Sequence, residues 1–182
     1  IGVDLGVKKL ITTSNGQVFD PINSFKTNQI KLARLQRKQR KKVKFSQNWK
    51  KLNLKINKLH HHIANIRHDY LQKITTTLSK NHAMIAVEDL KVANMSKSAS
   101  GTVENQGKNV KAKSGLNKSI LDQGWSMLVG MLEYKQQWRG GLLVKVDPKY
   151  TSQTCSSCGH VAKENRLTQA NFSCVECGFS EN

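Results

Sequence analysis

Cys155, Cys158, Cys174 and Cys177 are spaced C-x2-C-x15-C-x2-C. That spacing matches a structural zinc site, in which four soft ligands surround the ion as a tetrahedron. Each CxxC turn presents two thiolates from a tight loop. Gly159 and Gly178 directly follow the second cysteine of each pair. Glycine takes the positive φ that leaves backbone amides facing a sulfur. Two disulfides would need an oxidising compartment, but the N-terminal apolar run has no basic segment before it and no small-residue cleavage site. A reducing cytoplasm is therefore expected. A redox pair is disfavoured because two matched CxxC units are present. His160 is the nearest rival ligand and, with four thiolates available, is read as facing solvent or nucleic acid. A four-thiolate site is coordinatively closed, so it holds shape and does no chemistry. It would fold residues 151–182, which are too few to bury their own core.

Chemistry must then come from carboxylates. Side chains alternate along a strand. In "IGVDLG", Ile1, Val3 and Leu5 share one face and Asp4 takes the other. In "AMIAVEDL", Ile85 and Val87 share a face and Glu88 takes the other. A carboxylate among apolar strand residues is costly unless paired or metal-bound. Either acid alone is better read as ending a strand or capping a helix. Together, in so basic a chain, they point to Mg2+ acting on a phosphodiester. Two such ions can activate water and steady the leaving oxygen. Their charge exceeds what Asp4 and Glu88 supply, so a further carboxylate is expected, with Asp147 the best internal candidate.

The charge balance points the same way. Thirty Lys and Arg stand against twelve Asp and Glu, for a net charge of +18. Such a field favours a polyanion, and nucleic acid is the usual one. No Asp or Glu occurs from Pro21 to His68, where basic residues are dense. A merely solvated helix face mixes both signs, and like charges along a helix repel. A bound phosphate backbone would offset that repulsion. Arg37, Lys38, Arg40, Lys41, Lys42 and Lys44 are candidate phosphate contacts, with Lys163 and Arg166 at the tip of the cysteine segment.

The elements that must position these residues follow from hydrophobic periodicity. Residues 1–20 alternate and break at Gly6 and at Asn15-Gly16, a strong hairpin signal. Strands are expected at 1–6, 9–14 and 17–19. Leu52, Ile56, Leu59, Ile63, Ile66 and Tyr70 recur as a heptad seam, and Leu32 and Leu35 begin a shorter one. With a break around "FSQNWKK", the economical reading is an antiparallel helical hairpin over about 26–80. Residues 83–90 read as a buried strand and 96–115 as a mobile loop. Leu121, Trp125, Leu128 and Leu132 predict one helix within 117–139, stopped by Gly140-Gly141. A last strand is expected at 142–146. No run of eighteen apolar residues exists to span a membrane. The pattern is an α/β layered domain over 1–150, with a small metal-folded domain over 151–182.

Three stretches in this order, "IGVDLGVKKLITT", "AVEDL" and "YTSQTCSSCGH…FSCVECGF", resemble the TnpB (OrfB) proteins of bacterial insertion sequences, relatives of the type V CRISPR effectors. "RHDYLQK" and "NKSILDQGWSMLVGMLEYK" extend the resemblance over nearly the whole chain. It implies an RNase H-like (RuvC-like) α/β core with a basic helical-hairpin insertion and a small zinc ribbon. The activity implied is that of an RNA-guided DNA endonuclease, cutting with Mg2+ in the bacterial cytoplasm. Asp4 and Glu88 would be the first two metal-holding acids, and Zn2+ would sit on the four cysteines. The partners implied are a guide RNA and its target DNA, read as a heteroduplex by shape. The resemblance places a third Asp in an "AD-x-N-A-A" segment just beyond the last CxxC. The chain ends at Asn182, so its own cleavage is expected to be weak or absent. A non-catalytic nucleic-acid-binding module, and a transposase acting by strand transfer, remain as alternatives.

Overall fold

The computed structural model of the chain describes residues 1–168 and 171–181. They form two compact units, Ile1–Val87 with Lys91–Val144 and Glu88–Leu90 with Lys145–Asn182. Strands β1 (Gly2–Leu5), β2 (Ile11–Thr13), β3 (Val18–Phe19), β4 (Met84–Glu88) and β5 (Leu142–Val146) make a sheet of order β3-β2-β1-β4-β5. The first three run antiparallel in sequence order. β4 lies parallel to β1, with Gly2 opposite Ala86 and Val3 opposite Val87. The Leu142 N–H donates to the Ala83 carbonyl and the Asp89 N–H to that of Val146. Residue numbers rise together along that edge, so β5 runs parallel to β4.

The expected alternation is present in β1: Val3 and Leu5 are buried and Asp4 is exposed. Ile85 and Val87 are likewise buried in β4. β2 and β3 are shorter than their sequence pattern implies. The intervening turn turns on Asn15 and Gly16. The Asn15 carboxamide oxygen accepts from the Thr13 hydroxyl at 2.6 Å and from the Gln17 N–H at 3.3 Å. Gly16 takes φ 83, which costs glycine little.

Helices α1 (Ser24–Arg40) and α2 (Gln47–Asn81) form the hairpin. Its seam buries Leu32, Ile56, Leu59 and Ile63, with Phe25 and Leu35 packed against them. Each such aliphatic side chain contributes about 1.5–3 kcal/mol on burial. Ser46 caps α2 by accepting the Trp49 N–H at 3.3 Å. Leu52, Ile66 and Tyr70 are only half-buried. Beyond Ile63 the buried stripe passes to Leu71, Ile74 and Leu78, as a 3.6-residue helix drifts from a 3.5-residue seam.

After the short helix α3 (Val92–Met95), the region read as one helix is two: α4 (Val110–Gln123) and α5 (Trp125–Trp138). The break is Gly124, at φ 71. A Cβ there would lie 2.8 Å from Cδ of Arg67 and 3.2 Å from a methyl of Leu71. The residue must therefore be small as well as left-handed. The kink turns Leu121 outward, 54% exposed, and buries Ile120, Trp125, Leu128, Met131 and Leu132. α4 also begins within the stretch expected to be a loop. Asn117 ties it down by donating to the carbonyls of Ser96 and Lys97.

In the second unit, β6 (Phe172–Ser173) pairs antiparallel with β7 (Ser180–Glu181). Among the described residues no helix is long and apolar enough to cross a membrane.

Candidate metal centre and nucleic-acid interface

The two CxxC turns converge. All four cysteines are free thiols, and their sulfurs lie within 4.8 Å of one another. Sγ of Cys155 is 3.6 Å from that of Cys177, and Cys158 is 3.6 Å from Cys174. A tetrahedron with Zn–S of about 2.3 Å has sulfur–sulfur edges near 3.8 Å. The cluster therefore fits zinc and is far from disulfide bonding at about 2.05 Å.

Local backbone bonds build each knuckle. The Gly159 N–H returns to the Cys155 carbonyl at 2.9 Å, and the Gly178 N–H to that of Cys174 at 3.0 Å. Both glycines take the left-handed conformation, at φ 75 and 73. The Cys177 N–H points at the sulfur of Cys174, 3.5 Å away. That bond is the foremost reason the Cys174 thiol is held down to about 6. The His160 N–H acts to lower Cys158, but lost hydration and the thiols of Cys177, Cys174 and Cys155 outweigh it and push that group up to about 12. Phe172 and Phe179 pack around Cys155 and Cys174.

Asn165, which the sequence does not single out, joins the two knuckles. It is 1% exposed. Its Nδ2 donates to the carbonyls of Gln153 at 2.8 Å and His160 at 3.1 Å, and its Oδ1 accepts the Val175 N–H at 3.0 Å. No local pattern announces it, because its three partners become neighbours only in the folded ribbon. Lys163, exposed, and Arg166, half-buried, flank it.

Of the acids, Asp4 is exposed on β1 and Glu88 is half-buried at the end of β4. Oε1 of Glu88 accepts a long bond, 3.5 Å, from the Thr151 hydroxyl. Asp147 is exposed and accepts the Lys149 N–H at 3.0 Å.

Arg37, Lys38, Arg40, Lys41, Lys42 and Lys44 are all exposed on the last turns of α1 and the loop after it. Among the described residues, no carboxylate forms an ion pair with any of them. Farther along the hairpin, Lys31, Lys55, Lys58 and His62 line a groove of about 460 Å³ floored by Leu35 and Leu59. Lys55, Lys58 and His62 are spread three and four residues apart along α2 and Lys31 comes from α1, so density alone does not pick them out.

One acid works structurally. Asp122, 4% exposed, caps α1 from another helix. Asn23 precedes that helix in a left-handed conformation and gives it no side-chain cap. Asp122 instead accepts from the Ser24 hydroxyl at 3.2 Å, the N–H groups of Phe25 at 2.9 Å and Lys26 at 3.1 Å, and Nη2 of Arg67 at 2.9 Å. It anchors the basic hairpin to α4 and so orients it.

Comparison with known proteins agrees with this architecture. Residues 125–182 match a domain model described as the TNB domain of Cas12f1-like proteins. The chain is 63% identical, over its whole length, to the Escherichia coli protein named "Putative RNA-guided DNA endonuclease InsQ", and covers 45% of it. It is 32% identical over 98% of its length to a similarly named Streptomyces pristinaespiralis protein, of which it covers 40%. The chain thus spans under half the length of these relatives. In fold it is like the Cas12f1 chain of a cryo-EM structure of a Cas12f1–sgRNA–target DNA complex, with a TM-score of 0.56, 21% identity, and coverage of all of this chain and 46% of that one. Residues 1–99, more than half of the chain, match the OrfB_IS605 model, "Probable transposase", and the chain therefore belongs to this TnpB/OrfB family.

Proposed function

We propose that the chain is the nuclease portion of an RNA-guided DNA endonuclease, an RNase H-like (RuvC-like) core with Asp4 and Glu88 as ligands of Mg2+. The observation that carries the reading is the parallel register of β1 and β4. Val3 is paired with Val87, and each is followed in the chain by one of the two acids. The sheet, with three antiparallel strands extended by parallel ones, also supports an RNase H-like core. Carboxylate oxygens are the ligands Mg2+ prefers, so the residues fit the ion. Bound Mg2+ supplies positive charge to a phosphodiester and makes its water more acidic.

The chain's own residues do the rest of the work. Asp4 and Glu88 bring the negative charge that holds the cation. The unpaired bases from Arg37 to Lys44 run along phosphates, and the Asp122 cap fixes the hairpin's direction. The guide RNA and target DNA would be held by backbone and shape, as for other guided effectors. The ribbon, 151–182, is a structural zinc domain whose Lys163 and Arg166 face phosphate. Such a protein works in the bacterial cytoplasm. Two carboxylates against two divalent ions leave positive charge uncompensated, so hydrolysis by these 182 residues alone is expected to be weak. That same count favours nucleic-acid binding without cleavage as the second reading, and the family's description keeps strand transfer with the same acids as a third.

The test is made in a protein of the relatives' full length. Asp4→Ala and Glu88→Ala should each abolish Mg2+-dependent cleavage and leave nucleic-acid affinity within about twofold. Undiminished cleavage in either variant would refute the assignment.

A further inference from the structure

The tip of the α1–α2 hairpin carries apolar surface where the chain is most basic. Val43 and Phe45 are 79% and 63% exposed. Phe45 sits at φ 66, a left-handed conformation that bulky residues rarely adopt. Gly, Asn or Asp would hold such a turn with less strain, so turn formation does not explain a phenylalanine. Strained residues of this kind concentrate at functional sites. The Phe45 ring meets Trp49 edge to face, with centroids 5.5 Å apart at 61°. Nζ of Lys44 lies 5.1 Å from the Phe45 centroid. The Ser46 cap holds the first turn of α2 through the Trp49 N–H, so the aromatic pair is mounted on a fixed helix start.

Arg40, Lys41, Lys42, Lys44, Lys50 and Lys51 flank the pair, and all are exposed. A partner for this surface must offer negative charge and flat apolar faces together. Nucleic acid with unstacked bases has both, because every base has a π-face and a neighbouring phosphate. A duplex hides its bases in the stack and offers the ring little. We propose that Phe45, backed by Trp49, is a stacking platform for an unpaired nucleobase, with Lys44 and its neighbours holding the flanking phosphates. This rests on the nucleic-acid reading of the hairpin and adds to it a preference for unpaired strands.

The test compares binding of fluorescein-labelled single-stranded DNA, single-stranded RNA and a duplex of the same sequence to the zinc-loaded chain. Phe45→Gly removes the ring and relieves the positive φ, so it leaves the fold intact, which far-UV circular dichroism checks. It should weaken both single strands about 5- to 150-fold and the duplex by less than about twofold. Phe45→Trp should restore binding. Lys41→Gln with Lys42→Gln should weaken single strands and duplex alike. If Phe45→Gly changes single-strand binding less than about twofold, or weakens the duplex equally, the platform is refuted while the phosphate track stands. If the parent chain binds none of the three, the nucleic-acid reading falls, and the platform with it.

Discussion

Asp122→Ala removes a heavily used carboxylate of the helical unit. The side chain is buried and accepts from a hydroxyl, two helix N–H groups and a guanidinium. Losing a helix cap costs about 1 kcal/mol. Removing one partner of a fully buried ion pair costs about 3–5 kcal/mol, because the other charge is stranded. The Arg67 side chain keeps 19% of its exposure and can regain some water, so about 2 kcal/mol is the better figure for that part. The sum is about 3 kcal/mol. Among the described residues, the five α-helices belong to the first unit, so ellipticity at 222 nm in a urea titration reports mainly that unit. The midpoint should fall with little change in slope. Arg67→Met should cost less, since it leaves the cap in place, and the double variant should show coupling of at least about 1 kcal/mol. A cost for Asp122→Ala below about 1 kcal/mol, or strict additivity with Arg67→Met, would refute the account of this residue as both cap and ion-pair partner.

Other outcomes follow from the same structure. The chain should carry about one zinc, and Co2+ substitution should give thiolate charge-transfer absorption that Cys174→Ser weakens; chelation should collapse the ribbon and leave the 222 nm signal of the other unit in place. Nucleic-acid affinity should fall steeply with salt, and Lys41→Gln with Lys42→Gln should lower the log–log slope by about 2. Lys135 is 8% exposed and donates to the Gln72 carbonyl and the Thr75 and Thr76 hydroxyls. Burial first, and then Arg139, lower its pKa. Between that lowered value and the ordinary lysine range the unfolded chain binds more protons, so this group makes stability rise with pH there; Lys135→Met should remove that rise in chemical denaturation series. Asn165→Leu leaves the Gln153 and His160 carbonyls and the Val175 N–H without their partner, and should loosen the ribbon and weaken Co2+ binding by about tenfold.

The parts legible in sequence are those whose geometry is local. The cysteine spacing announces the knuckles because each pair lies within one turn and each glycine sits beside its thiolate. Alternation in "IGVDLG" places Asp4 on the exposed face because a strand's period of two leaves no choice. The hairpin seam is legible through Ile63, where helix period and heptad still agree. Other features depend on distant partners. Gly124 is one glycine in an otherwise periodic run, and its packing against Arg67 and Leu71 explains why one helix becomes two. The cap of α1 comes from Asp122, 98 residues from Ser24, so no local box marks that helix start. Asn165 is silent for the same reason. α4 begins in a Gly-, Ser- and Lys-rich stretch whose composition reads as loop, and tertiary bonds from Asn117 overrule that propensity.

The proposal most open to a direct test is that Asp4 and Glu88 are ligands of Mg2+. Fe2+ replacing Mg2+, with ascorbate and peroxide, cuts a polypeptide beside the bound ion, and mass spectrometry of the zinc-loaded chain locates the cuts. Scission is expected near residue 4 and near residue 88, competed by Mg2+ and lost at both places in Asp4→Asn and in Glu88→Gln. Cuts at only one of the two strands, or cuts at both that survive either substitution, would contradict it.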